Sequence, residues 1–114
     1  MQTTDTRKPL TITFIKPSRR EMDDLPESII RQFLVGLERI SWGLNPGLPI
    51  THLQAAGKGV MELKINGRPA YRLIYTTKYE GELVVLVARS KTSNGPDKKL
   101  IEVAASRVKG LKNK

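Results

Sequence analysis

The chain has 114 residues, and its 20 lysines and arginines against 11 aspartates and glutamates give a formal net charge of +9 at pH 7. This length suits one domain over residues 1–114, and the positive charge favours an anionic partner. Without cysteine there is no disulfide or thiol nucleophile, and the single His52 cannot form a metal site alone. No apolar run reaches the roughly 18–20 residues of a membrane span.

The N-terminal half predicts one strand and one long helix. Residues 10–16 alternate apolar side chains with threonine, which is typical of a half-buried strand. Asp24 and Glu27 have the spacing of a capping box around Pro26, so a helix should begin there and end near Gly43. Its apolar stripe consists of Ile29, Ile30, Phe33, Leu34, Leu37 and Ile40.

The C-terminal half predicts three strands and a helix. Residues 44–59 hold two prolines and three glycines and predict a surface connection. Strands are expected at 60–66, 70–77 and 82–90, and a helix from about 98 to 111. The order β-α-β-β-β-α predicts a small α+β domain, with an antiparallel sheet of about four strands and helices on one face.

The ends of the chain carry little apolar sequence. Residues 1–9 and 112–114 are expected to be flexible tails. The polar start also lacks the apolar region of a signal peptide, so we expect a cytoplasmic protein.

The strand period places several cations on one sheet face. Side chains alternate between the two faces of a strand, so Lys64 and Arg72 point away from the apolar residues beside them. Arg89 and Lys91 share one face of the last strand, and Arg68 lies at a turn. If the strands pair in register, these cations converge, and since like charges repel they would require an anion such as phosphate.

A different interpretation is more ordinary. Lysine and arginine on an antiparallel strand most often form the solvated face of a half-buried sheet, and the residues alone favour this alternative. A lone loop residue such as His52 is usually a surface or capping residue. Trp42 is expected in the core or at an interface edge, and Tyr71 and Tyr75 in the core.

Several stretches in order resemble the RelE/HigB family of toxins from toxin–antitoxin modules, and most closely its phage-related HigB-like branch. That branch reads as leucine-proline opening a helix, a glycine-rich loop, "ELR", "YRviY", a strand ending in "hAFqKKt", and a helix with "A..R". The likeness covers roughly residues 10–111. The counterparts here are Leu25-Pro26, Gly59, Glu62-Leu63-Lys64, Tyr71-Arg72-Leu73-Ile74-Tyr75, residues 86–92, and Ala104 with Arg107.

The resemblance implies a function. Most RelE-like toxins resemble microbial ribonucleases in fold and cleave messenger RNA in the ribosomal decoding site, by attack of a ribose 2′-hydroxyl on the adjacent phosphate, with no metal and no cofactor. This reaction needs a base, cations at the phosphate and a proton donor. Position by position, Arg72 is the candidate phosphate stabiliser, Lys64 the general base or a second phosphate ligand, and Lys91 the acid or an electrostatic stabiliser.

Further residues follow from the same resemblance. Lys58, Arg68 and Arg89 are candidates for RNA or phosphate binding, whereas Glu62 is interpreted as an ion-pair partner of Lys64 rather than as a base. We expect Arg72, as a polar-face residue, to contribute little packing. Two positions depart from the pattern, because Arg89 replaces the phenylalanine of "AFqKK" and a threonine at position 92 replaces its second lysine.

The resemblance also implies partners. A cognate antitoxin, expected to be a helix-turn-helix protein, would neutralise the toxin, and operator DNA would be bound only through that complex. Messenger RNA and the ribosome are the expected targets, and no membrane is involved. An alternative function is that of the ParE relatives, which share the fold and inhibit DNA gyrase without cleaving RNA.

Overall fold

The computed structural model describes residues 8–91 and 97–111, and these contain five strands and three α-helices. In chain order they are β1 (Thr11–Phe14), α1 (Lys16–Asp23), α2 (Glu27–Ser41), β2 (Ile50–His52), β3 (Val60–Ile65), β4 (Ala70–Thr76), β5 (Glu82–Lys91) and α3 (Lys98–Leu111). The predicted α+β class is confirmed. Thr92, most of the expected N-terminal tail and the C-terminal tail lie outside the described residues.

The sheet is mixed, with the strand order β1-β5-β4-β3-β2. β1 runs parallel to β5, whereas the other neighbours are antiparallel, so the purely antiparallel prediction was wrong. β2 is a fifth strand inside the predicted connection, and it pairs His52 with Met61 of β3. Three residues are too few to display a two-residue period, which is why the sequence did not show this strand.

The predicted first helix is in fact two helices. Asp24 is the C-cap of α1, with its backbone N–H donating to the carbonyl of Arg20, and Pro26 is the N-cap of α2. The predicted capping box was therefore wrong, and no side-chain cap was found at Pro26. α1 buries only Ser18 and Met22, so it has no apolar stripe that a sequence pattern could show. None of the helices in the described ranges is long and apolar enough to cross a membrane.

Helices cover both faces of the sheet, so the prediction of one covered face was wrong. On one face, α1 and α2 pack against the sheet. The buried cluster between them consists of Met22, Ile29, Phe33, Leu37, Leu63, Leu73, Tyr75, Leu83, Val85 and Ala88. On the other face, α3 packs against the sheet. The buried cluster there consists of Ala56, Val60, Ile74, Val84, Leu86, Val87, Leu100, Ala104, Val108 and Leu111. Residues 83–88 of β5 are all buried, since this strand contributes to both clusters.

The aromatic residues divide between core and surface. Tyr75 is buried in this core, as predicted, whereas Tyr71 is only partly buried and packs against the edge of the same cluster. Trp42 lies at the end of α2 with 38% of its surface exposed, so it is not a core residue. Leu34, Val35 and Leu44 are also exposed apolar residues.

The two neighbouring residues Phe33 and Leu34 test how α2 faces the sheet. Phe33 is fully buried, so Phe33→Ala is expected to lower the free energy of unfolding by about 3–5 kcal/mol. Leu34 is 46% exposed, and Leu34→Ala should change this free energy by no more than about 0.5 kcal/mol. Urea denaturation of the two variants measures the difference, and equal losses would contradict the orientation of α2.

Candidate functional site

A cavity of about 300 Å³ lies between the cation-bearing face of the sheet and the N-terminal end of α3. Its volume is at the lower end of the range of small-ligand sites, which is about 300–1,000 Å³. Strands β3, β4 and β5 supply its charged floor, and α3 supplies an opposite wall. The lining residues are Leu53, Glu62, Lys64, Arg72, Lys91, Asp97, Leu100 and Ile101.

Three predicted site residues meet in this cavity, each from a different strand. Lys64 of β3 is directly opposite Arg72 of β4, and Lys91 of β5 is opposite Ala70 at the start of β4. All three line the cavity, as the two-residue strand period predicts. Two other predicted residues do not line it, because Arg68 lies exposed in the β3–β4 turn and Lys58 is exposed before β3.

Arg72 is buried, with only 9% of its surface exposed. Its Nη1 donates to the carbonyl oxygen of Tyr71 at 3.0 Å and lies 3.5 Å from that of Ile65. Its Nε lies 3.7 Å from a carboxylate oxygen of Glu62. The expectations of a solvated sheet face and of little packing by Arg72 were therefore wrong at this position, because α3 covers this part of the sheet.

Two carboxylates share the cavity with the three cations. Glu62 has a side chain that is only 13% exposed, and it forms an ion pair with Arg72 rather than with the expected Lys64. Asp97 accepts a hydrogen bond at Oδ1 from the backbone N–H of Leu100, 3.0 Å away, at the start of α3. Asp97 was not among the predicted site residues, although an aspartate just before a helical apolar pattern is a recognisable start signal.

The remaining lining residues are aliphatic. Leu53 precedes β3, whereas Leu100 and Ile101 belong to the first turn of α3. Among the lining residues that the structure describes, none is aromatic. The cavity therefore offers charge and aliphatic surface but no ring on which a nucleobase could stack.

Arg89 lies elsewhere, in an ion-pair network centred on Glu21 of α1. Its Nε and Nη2 lie 3.0 and 2.8 Å from Oε2 of Glu21. Arg107 of α3 contacts both Glu21 oxygens, at 2.8 and 3.0 Å, and also donates to the carbonyl of Leu86 at 2.8 Å. The backbone N–H of Ala88 donates to Oε1 of Glu21 at 3.2 Å.

This network satisfies the free edge of β5. β1 pairs with β5 only as far as Val85, so within residues 8–91 and 97–111 the backbone groups beyond it have no strand partner on that side. The carboxylate of Glu21 and the guanidinium of Arg107 bind those backbone groups and tie α1 and α3 to β5. Arg89 is thereby withdrawn from the cavity, and since Glu21 lies on a helix that the sequence did not predict, this outcome could not be foreseen.

The network also sets the ionisation of Glu21. Burial by itself raises the pKa of this carboxyl, but the hydrogen bonds from Arg107, Arg89 and the Ala88 N–H outweigh it, so the pKa of Glu21 is lowered from its usual 4.5. A carboxylate with a lowered pKa stabilises the folded state above the pKa of the unfolded chain. That contribution is lost as the pH falls through the lower pKa of the folded state.

The fold and the cavity define a small α+β protein with a mixed-charge, predominantly cationic site. A family model described as "Phage derived protein Gp49-like (DUF891)" matches residues 20–109. The chain therefore belongs to the Gp49-like family of phage-derived proteins, a family of RelE-like toxins, and the resemblance to RelE/HigB toxins is confirmed.

A solved structure is also similar in part. A chain of the toxin–antitoxin complex RelBE2 from Mycobacterium tuberculosis shares 22% sequence identity, with coverage of 79% of this chain and 100% of that chain and a TM-score of 0.48. None of the curated proteins matches the chain.

Replacing Glu21 by glutamine tests the network. Glu21→Gln is expected to lower the free energy of unfolding at pH 7 by about 1–3 kcal/mol, between the values for exposed and fully buried ion pairs. The difference between wild type and variant should hold well above pH 4.5 and shrink at lower pH, because the wild-type carboxylate then becomes protonated. Denaturant unfolding across this pH range measures both effects.

The control for this variant is Glu27→Gln. Glu27 pairs with Arg31 on the exposed surface of α2, so this change removes the same charge with little effect on stability. A pH-independent loss in Glu21→Gln, or an equal loss in Glu27→Gln, would contradict the assignment.

Proposed function

We propose that this RelE-like toxin cleaves messenger RNA on the ribosome and is neutralised by a cognate antitoxin. The observation that carries the proposal is the position of Arg72, buried and held by backbone carbonyls in a cavity that Lys64 and Lys91 also line. A buried cation with two further cations in the same cavity can bind an anionic group, and a phosphodiester is such a group.

The cavity suits the charge changes of phosphodiester cleavage. When a ribose 2′-hydroxyl attacks the adjacent phosphate, negative charge grows on the phosphate oxygens. A guanidinium whose direction is already fixed by the carbonyl of Tyr71 stabilises this charge without reorganising. Lys64 and Lys91 supply further positive charge and, as ammonium groups, can donate a proton to the leaving 5′-oxygen.

The composition of the cavity favours a reaction on the ribosome over one on free RNA. Proteins that hold single-stranded RNA by themselves commonly stack its bases on aromatic side chains. The described residues lining the cavity offer no such ring. A messenger already positioned by the ribosome would need only its phosphate and ribose to enter, and the net charge of +9 would assist approach to ribosomal RNA.

The proposed partners follow from membership of a toxin family. The antitoxin is proposed to be a helix-turn-helix protein, and operator DNA is proposed to be bound only through its complex with this chain. The proposed place of action is the cytoplasm, where messenger RNA is translated.

The reaction is tested by expressing the chain and mapping the 5′ ends of messenger RNA in a translating extract. Cleavage within codons of ribosome-bound messages is expected, together with growth arrest that co-expression of the neighbouring gene relieves. Intact messages with stalled gyrase would instead support the ParE-like function. Normal growth at high levels of soluble protein would contradict both functions.

Arg72→Lys tests the proposed phosphate contact. Loss of one stabilising donor typically costs about 100- to 1,000-fold in rate, and lysine keeps the charge but loses the planar geometry, so a loss of at least about tenfold is expected. Alanine is less suitable, because it would leave the carboxylate of Glu62 buried without its ion-pair partner. The rate of messenger cleavage and the melting temperature are measured together.

The matched control is Arg31→Lys, the same substitution at an exposed position on α2. It should leave cleavage unchanged. Full activity of folded Arg72→Lys would argue against a phosphate contact, and equal losses in the two variants would indicate a general effect of arginine content.

A further inference from the structure

We propose that Glu62 is the general base that takes the proton from the attacking 2′-hydroxyl. This inference rests on the proposed RNA cleavage and assigns a residue that the resemblance to RelE-like toxins left as an ion-pair partner. It replaces Lys64 in that role and leaves Lys64 as a phosphate ligand.

The first reason is position. Glu62 and Lys64 are two residues apart on β3, so their side chains share the face on which Arg72 lies. The carboxylate is 3.7 Å from Nε of Arg72, which is close enough for an ion pair but longer than a hydrogen bond of about 2.7–3.2 Å. A phosphate bound by Arg72 would therefore bring its neighbouring ribose hydroxyl close to a carboxylate that still has lone pairs to accept a proton.

The second reason is protonation. A base must be unprotonated before it acts, and a carboxylate meets this condition at neutral pH, whereas a lysine amine has an ordinary pKa of about 10.4. Lysine acts as a base when burial or an excess of positive charge favours its neutral form. In this cavity the carboxylates of Glu62 and Asp97 accompany the three cations and offset much of their positive charge.

The other carboxylate of the cavity is less suitable. Asp97 uses Oδ1 to accept the N–H of Leu100 and so fixes the start of α3. A proton taken up by Asp97 would weaken this helix cap. Glu62 lies instead on the central part of the sheet, beside the cation proposed to hold the reacting phosphate.

The reaction balances with groups that line the cavity. A carboxylate oxygen of Glu62 takes the 2′-hydroxyl proton as the 2′-oxygen forms a bond to phosphorus. The bond between phosphorus and the 5′-oxygen breaks, and the leaving oxygen keeps the electron pair and receives a proton from an ammonium group, for which Lys91 is the candidate. The products are a 2′,3′-cyclic phosphate and a 5′-hydroxyl, and exchange with water restores both side chains.

Three variants test the assignment in the ribosome-bound cleavage assay. Glu62→Gln keeps the shape but cannot act as a base, so the rate should fall by about 100- to 10,000-fold. Glu62→Asp keeps a carboxylate and should recover part of that loss. Lys64→Arg keeps the positive charge but cannot deprotonate, so it should retain activity within about tenfold if Lys64 binds phosphate.

The pH dependence separates catalysis from structure. The residual rate of Glu62→Gln should rise more steeply with pH than the wild-type rate, by up to about tenfold per pH unit, as hydroxide replaces the lost base. A merely structural role for Glu62 would lower the rate without changing this profile. Circular dichroism checks that each variant is folded, and Glu102→Gln, an exposed carboxylate on α3, controls for the charge removed and should leave activity unchanged.

The outcomes distinguish the two proposals. If the wild type cleaves and Glu62→Gln cleaves equally well, or if Lys64→Arg loses far more than about tenfold in rate, the base assignment is wrong and the proposed function stands. The Lys64→Arg comparison decides the question even if Glu62→Gln does not fold. If the wild type leaves messenger RNA intact, the proposed function fails and the base assignment fails with it.

Discussion

Burial of β5 on both faces is the constraint on which the rest of the structure depends. Residues 83–88 are all buried, and a strand with apolar side chains on both faces requires a covering layer on each side. α1 and α2 cover one face and α3 covers the other. Because α3 lies on the face that bears the cations, Arg72 is enclosed rather than solvated, and an otherwise ordinary basic sheet surface becomes a cavity.

The position of α3 is reinforced by polar contacts as well as by packing. Glu21 binds Arg107 of α3, Arg89 of β5 and the N–H of Ala88, where β5 has lost its strand partner. This arrangement satisfies an exposed sheet edge and joins three elements through one carboxylate. The same α3 presents Leu100 to the cavity, so the network around Glu21, whose member Arg89 pairs with Arg72 across the strands, contributes to the shape of the site.

The cavity has mixed charge, and this decides which chemistry it favours. Three lysines or arginines without carboxylates would be expected to lower one lysine pKa and to favour a lysine base. The presence of Glu62 beside Arg72 supports the proposed division of roles, in which a carboxylate accepts a proton and cations stabilise the phosphate. The described lining residues add aliphatic surface and no aromatic ring, which supports the proposed action on a messenger that the ribosome already holds.

The sequence by itself determined the main strands, α3 and the faces of Lys64, Arg72 and Lys91, because strand and helix periods are local properties of neighbouring residues. Only the tertiary structure decided that β1 is parallel to β5, that α3 covers the cations and that Arg89 turns towards Glu21. These outcomes depend on contacts between distant residues, such as Glu21 and Arg107, which are 86 positions apart. No local period records which distant carboxylate will reach a given arginine.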